Sequence, residues 1–222
     1  MGSDWTWELH LSAATESSLR EFFALAAERN LHPQRPDGLI NLFSDRDGDP
    51  PTAGDPAVML RALTTGDEDG QLWTCDETDV HLSWRNETLT WSLDSVFCYR
   101  LPSPEADGFR DLHGRLTSLW LDVAQRFNAR SGRVLDEWSS DQIWHLGLHD
   151  AVHPAGHWPA ELGWWTYLAP SSARPAPPLP DVADRTRLLP NRAHLINLLD
   201  DPAAVDCGRY QDVHERWTAA LP

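Results

Sequence analysis

Period-two alternation opens the chain. In "WTWELHL" the positions Trp5, Trp7, Leu9 and Leu11 are apolar, and Thr6, Glu8 and His10 between them are polar. This is the pattern of a strand with one buried face. The period then changes. In "TESSLREFFALAAERN" the residues Leu19, Phe22, Phe23 and Ala26 form one stripe of a helix, with Thr15 as N-cap and Glu16 complementing the N-terminal dipole. Asn30 and Pro33 close that helix, and "GLINLF" predicts a short buried strand.

Alternation returns between 79 and 93. Val80, Leu82 and Trp84 share one face, as do Leu89, Trp91 and Leu93. A two-residue Asn86-Glu87 turn would pair Trp84 with Leu89 and Leu82 with Trp91. "SVFCYR" is expected to extend this sheet. After Pro102 and Pro104, "EADGFRDLHGRLTSLWLDVAQRFNARSG" carries Phe109, Leu112, Leu116, Leu119, Trp120, Val123 and Phe127 along one helical face. Trp144, Leu146 and Leu148 alternate as in a strand; "GWWTYLAP" and "AHLINLL" predict two more, and "GRYQDVHERWTAAL" a closing helix. The order implies one α+β domain over residues 1–222, a mostly antiparallel sheet with helices packed against one face, with room for two related strand–helix–strand halves.

Composition narrows the function classes. The 222 residues include 12 Trp, expected mainly in the core, and no Lys, and carry a formal charge of −16. That charge argues against nucleic acid or an anionic membrane as partner, and permits steering toward a basic one. Cys75, Cys98 and Cys207 share no short spacing, which disfavours a disulfide framework or a CxxC metal site. "MGSDWTWELHLS" has no secretory character and no apolar run reaches spanning length, so a soluble, cytoplasmic protein is expected.

Candidate chemistry concentrates in "HLGLHDAVHPAGHW", where His145, His149, His153 and His157 recur every four residues. On a helix they would climb about 18 Å, too far for one ion. Pro154 also biases His153 away from helix. On a strand His145 and His149 would stand about 13 Å apart. A loop site combining His153 and His157 with Asp150 or Glu161 is the surviving metal arrangement, and it would suit a metal-assisted hydrolase. Against it stands the simpler assignment of these histidines to a polar face and a loop. Asp45, Asp47 and Asp49 suggest a calcium loop, but Gly48 stands at the fourth position and Pro56 where the bidentate Glu belongs. There is no GxSxG, phosphate-cradling glycine loop or dinucleotide fingerprint, so neither catalytic residues nor a cofactor are expected.

"GWWTYLAP" (163–170), a variable loop and "LLPNRAHLINLLDDPAAVD" (188–206) resemble the C-terminal part of bacterial polymorphic-toxin and type VI secretion immunity proteins. The helix "LHGRLTSLWLDVAQRFNARSG" is similar in placement. Where those proteins carry Gly-Gly, this chain has Arg192-Ala193. The resemblance implies an α+β fold and stoichiometric, non-catalytic binding of a cognate toxin. A basic toxin domain is then the expected partner, met by Asp45, Asp47, Asp49, the turn Asp67-Glu68-Asp69, and Trp158. An acidic regulatory module, including a mimic of nucleic acid, is the further alternative.

Overall fold

The computed structural model describes residues 3–43, 52–53, 55–148, 156–171 and 174–221. In chain order the elements are β1 (Trp5–His10), α1 (Glu16–Ala27), β2 (Leu39–Ile40), β3 (Leu42–Phe43), β4 (Thr52–Ala53), α2 (Ala57–Thr65), β5 (Asp69–Trp73), β6 (Asp79–Arg85) and β7 (Thr88–Leu93). There follow α3 (Asp107–Arg126), β8 (Ser131–Asp136), α4 (Glu137–Ile143), β9 (Trp165–Leu168), α5 (Pro180–Ala183), β10 (Thr186–Leu188), β11 (His194–Asn197) and α6 (Cys207–Ala220). Nine strands make one antiparallel sheet in the order β10-β11-β9-β8-β1-β7-β6-β5-β3, and β2 pairs with β4 apart from it. The α+β architecture is as expected.

Strand periodicity decides what the sheet buries. Trp5, Trp7 and Leu9 are at most 2% exposed, and across β7 they oppose Leu93, Trp91 and Leu89. Asn86 and Glu87 both take positive φ, the geometry of a tight hairpin turn. The pairs Trp84↔Leu89 and Leu82↔Trp91 form as the alternation predicts. Three helices cover this apolar face. The Phe22 ring of α1 lies 5.8 Å from Trp91, α2 rests on β5 and β6, and α3 is tied to β1 by two indole bonds. Trp7 Nε1 donates to Thr117 Oγ1 at 3.0 Å, and Trp120 Nε1 to the Glu8 carbonyl at 2.9 Å. Thr15 caps α1 as expected, with Ser18 closing the reciprocal bond. Trp5, Trp7, Trp84, Trp91, Trp120, Trp158, Trp164 and Trp217 are all buried, so most tryptophans are core.

Among the described residues, helices cover the opposite face at its β8/β9 end. There α6 holds the segment before β9: Leu162 N–H donates to His214 Nε2 at 3.0 Å, Tyr210 OH donates to the Leu162 carbonyl at 2.6 Å, and Trp217 Nε1 donates to the Pro159 carbonyl at 2.8 Å. Among the described residues no helix is long and apolar enough to cross a membrane.

Several local expectations are corrected. "SVFCYR" leaves the sheet, because Asp94 accepts from Val96 N–H at 2.8 Å and turns Ser95–Phe97 into a 3-10 helix. Trp144, Leu146 and Leu148 do not form a strand. Asp136 caps α4 by accepting from Ser139 N–H, Trp144–Leu146 continues as a 3-10 turn, and Trp144 is 63% exposed. "GLINLF" divides into β2 and β3 with different partners. The strand within "ARSGRVLD" lay hidden against the end of the long helix, which stops at Arg126.

One buried group gives the fold an acid limit. His113 of α3 is 2% exposed and packed among Trp5, Trp7, Phe109 and Trp165, with ring centroids 4.5 to 5.8 Å away. Burial pushes its imidazole down to about 3. Below pH 6.5 the unfolded chain therefore binds a proton that the folded chain refuses, and stability falls as pH falls through that window. Urea unfolding is expected to show a loss of about 1.4 kcal/mol per pH unit from this group. His113 Nδ1 lies 3.3 Å from Thr117 Oγ1, and His113→Asn, which keeps a polar group there without the titrating ring, should have a correspondingly shallower slope between pH 6 and pH 5. Parallel pH profiles for the two proteins would overturn the assignment.

Candidate functional site

Antiparallel register places facing residues on the same side of a sheet, so the open face follows directly from the pairing. Ser83, Thr90, Glu8 and Arg133 form one row across β6, β7, β1 and β8. Gln71, His81, Ser92 and Thr6 form the next, starting from β5, and Arg85, Thr88, His10 and Ser131 the third. The named side chains are all polar; the second row meets Leu135 on β8, and Trp73 stands on the same face at the end of β5. The β5–β6–β7–β1 part of this face carries none of the described helices and is half-exposed throughout.

Two charged groups flank the hydroxyl-lined centre. On one side Arg85 Nε donates to Asp69 Oδ1 at 2.9 Å, with His81 Nε2 3.7 Å from Asp69 Oδ2. Burial, only partly opposed by Asp69, holds the His81 imidazole below its ordinary value. Beside it Asn41 Nδ2 donates to Gln71 Oε1 at 2.7 Å and Gln71 Nε2 to Asp79 Oδ2 at 2.6 Å. On the other side Glu8 Oε1 lies 3.0 Å from His10 Nε2 and 3.1 Å from Arg133 NH2, and Arg133 NH1 reaches Glu161 Oε2 at 2.6 Å. Burial alone would raise the Glu8 carboxyl; the His10 bond and the Arg133 charge outweigh it and bring the group to about 2. These groups are held in place before any ligand arrives, which lowers the ordering cost of binding.

The residues singled out from sequence are scattered over the fold. Asp69 opens β5 on the open face, and Asp67 and Glu68 lie in the turn leading to it. Trp158 is only 6% exposed. Its ring meets Trp217 and His194 edge-on, and its Nε1 donates to the Pro175 carbonyl at 3.2 Å. It sits within the core beside α6 and presents no contact surface. Asp45, Asp47, Asp49, His149, Asp150 and His153 lie outside the described residues. His145 and His157 are both exposed; His145 Nε2 stands 4.0 Å from Glu215 Oε1, and Glu161 is engaged by Arg133. Among the described residues no three His, Cys, Asp or Glu side chains gather where they could hold a metal ion.

No family model matches the sequence, and no curated protein matches it. Among solved structures, the Pseudomonas aeruginosa T6SS protein PA0821 is similar at 12% sequence identity and a TM-score of 0.45, over 99% of this chain and 76% of that one.

Glu8, Arg133 and the Ser/Thr rows were not singled out from sequence. The available signal was the polar half of the same alternation that marked the core, at Thr6, Glu8 and His10 and again at Thr88, Thr90 and Ser92. In the segment that resembles immunity proteins, Arg192 stands in the left-handed region at φ 66. The turn is closed by Arg192 N–H donating to the Leu189 carbonyl at 2.8 Å. It thus adopts the backbone that glycine would favour, and an arginine occupies it.

Proposed function

We propose that this chain is a non-catalytic, immunity-type protein that binds and neutralises a cognate toxin, and that the open half of its sheet is the docking surface. The observation that carries this reading is the set of three polar rows over β5, β6, β7 and β1, bordered by Trp73, with its hydrogen bonds already arranged and none of the described helices over it. The charge of −16 favours a basic toxin domain, and the C-terminal resemblance points the same way.

Size adds a constraint. Four strands at about 4.8 Å spacing and six residues at about 3.3 Å each give roughly 400 Å² of flat face. A stable interface needs about 800 Å² from each partner. The partner must therefore also reach the rim, and the turn with Asp67 and Glu68 is placed to supply acidic contacts there.

The test is to sequence the neighbouring genes for a secreted protein with a basic C-terminal domain, then to titrate that domain with this chain by calorimetry and to measure survival of cells expressing it. Thr90→Arg/Ser92→Arg is expected to weaken binding about a hundredfold (~2.7 kcal/mol) and to abolish protection, with the circular dichroism spectrum unchanged. Unchanged affinity would remove the sheet face from the interface. Absence of binding by the unmodified chain would end the immunity reading itself.

A further inference from the structure

A second surface lies at the end of the sheet, where the chain leaves β7. Val96 and Leu101 are 76% and 75% exposed, Tyr99 is 41% exposed, and Trp138 at the start of α4 is 43% exposed. Val96, Tyr99 and Leu101, with Cys98, Arg100 and Glu105, line a cleft of about 660 Å³. Single exposed apolar residues are ordinary, but a cluster around a cleft marks a binding surface.

The charges around this cleft are mainly negative. Asp94 caps the turn that forms one wall, Asp4 accepts from Ser95 N–H at 2.7 Å, Glu105 lines the cleft, and Glu137 is exposed beside Trp138. Among the described residues Arg110 donates to the Ser103 carbonyl of the lining at 3.0 Å but is held by Asp107 and Asp201, and the lining cation Arg100 is turned inward. Its guanidinium lies 4.1 Å from the Trp138 ring centroid and donates to Cys207 Sγ at 2.8 Å. Burial raises the Cys98 thiol on the lining, and the nearby Asp4, Asp94 and Asp136 raise it further.

We propose that this cleft receives an apolar side chain of a partner protein, carried between arginine or lysine residues. The apolar walls take the side chain, and the carboxylates take the flanking cations. A second copy of this chain fits poorly, because facing clefts would bring the same carboxylates together in molecules that already carry −16 each. This proposal rests on its own residues, and it stands whether or not the sheet face binds a toxin.

The test uses a labelled nine-residue peptide with a central Phe, two Arg on each side and Gly/Ser ends, followed by fluorescence anisotropy with the full chain. Binding is expected to weaken about tenfold or more when the peptide Phe becomes Ser, and again when Val96→Ser/Leu101→Ser replaces the native walls. Glu105→Gln/Glu137→Gln should weaken it and flatten its salt dependence. Thr90→Arg/Ser92→Arg on the sheet face should leave it unchanged, which separates this result from the toxin-binding test. Equal affinity for the Ser peptide, equal affinity for a peptide with Glu in place of Arg, no loss in the Val96/Leu101 variant, or no binding at all would each overturn the proposal. So would sedimentation showing a dimer of the chain that Leu101→Ser dissociates, since a second copy would then be the occupant.

Discussion

Gly163→Ala is expected to destabilise the protein by about 3 kcal/mol, the upper range for forcing an atom into a packed site. A Cβ there would stand 2.6 Å from the Trp165 carbonyl oxygen, and 2.7 and 2.9 Å from the backbone oxygen and nitrogen of Val134. All three are backbone atoms of the β8–β9 pair, so no side chain can move aside. The same few residues hold much else together. Gly163 N–H donates to Thr166 Oγ1 at 2.8 Å, Trp164 N–H to the Val134 carbonyl at 2.8 Å, and Leu162 is clamped by Tyr210 and His214 of α6. Urea unfolding measures the loss directly. A decrease below about 1 kcal/mol would show that the strands separate cheaply, and that the close approach of backbone to backbone is not what fixes a glycine here.

The second large effect is expected at Arg133, which lies between Glu8 and Glu161 with its side chain 23% exposed. Arg133→Leu leaves two carboxylates close together without their cation. Removing one partner of a buried pair costs about 3–5 kcal/mol, and the partial exposure of this cluster places the value near the lower end. The pH dependence distinguishes this from lost packing. In the native protein Glu8 sits at about 2, so its contribution is complete above 4.5 and is lost as pH falls toward 2. Without Arg133 the Glu8 carboxyl moves upward, and its protonation relieves the repulsion. The stability difference between native and variant proteins should therefore shrink between pH 7 and pH 4, and Glu161→Gln in the variant should recover part of it. A difference independent of pH would mean that the aliphatic stem of Arg133, and not its charge, mattered.

Legibility from sequence followed the range of the interactions. The β6–β7 hairpin, the Thr15 cap and the apolar stripe of α3 each depend on residues within a few positions of one another, and all three are present. Residues 144–148 failed for the same reason in reverse. Their alternation is that of a strand, yet Asp136 starts a helix upstream, and its other carboxylate oxygen accepts from Trp164 Nε1 at 2.8 Å, 28 residues away. No local pattern contains that bond. Trp158 follows the same rule: an aromatic in a polar-looking segment suits a surface, yet α6 lies against it and leaves it 6% exposed.

By itself, then, the sequence determined which side chains share a face, because the periods of strand and helix are properties of the backbone. It determined the α+β class, the tryptophan core and the acidic charge. Only the tertiary structure decided which polar face stays open among the described residues and which is covered, since that depends on where distant helices come to rest. It also joined Glu8 to Arg133, 125 positions along the chain, and laid Arg100, from the cleft lined by Val96 and Leu101, against the Trp138 ring. The candidate surfaces arise at these long-range meetings, where strand order and helix placement bring together residues that no local spacing connects.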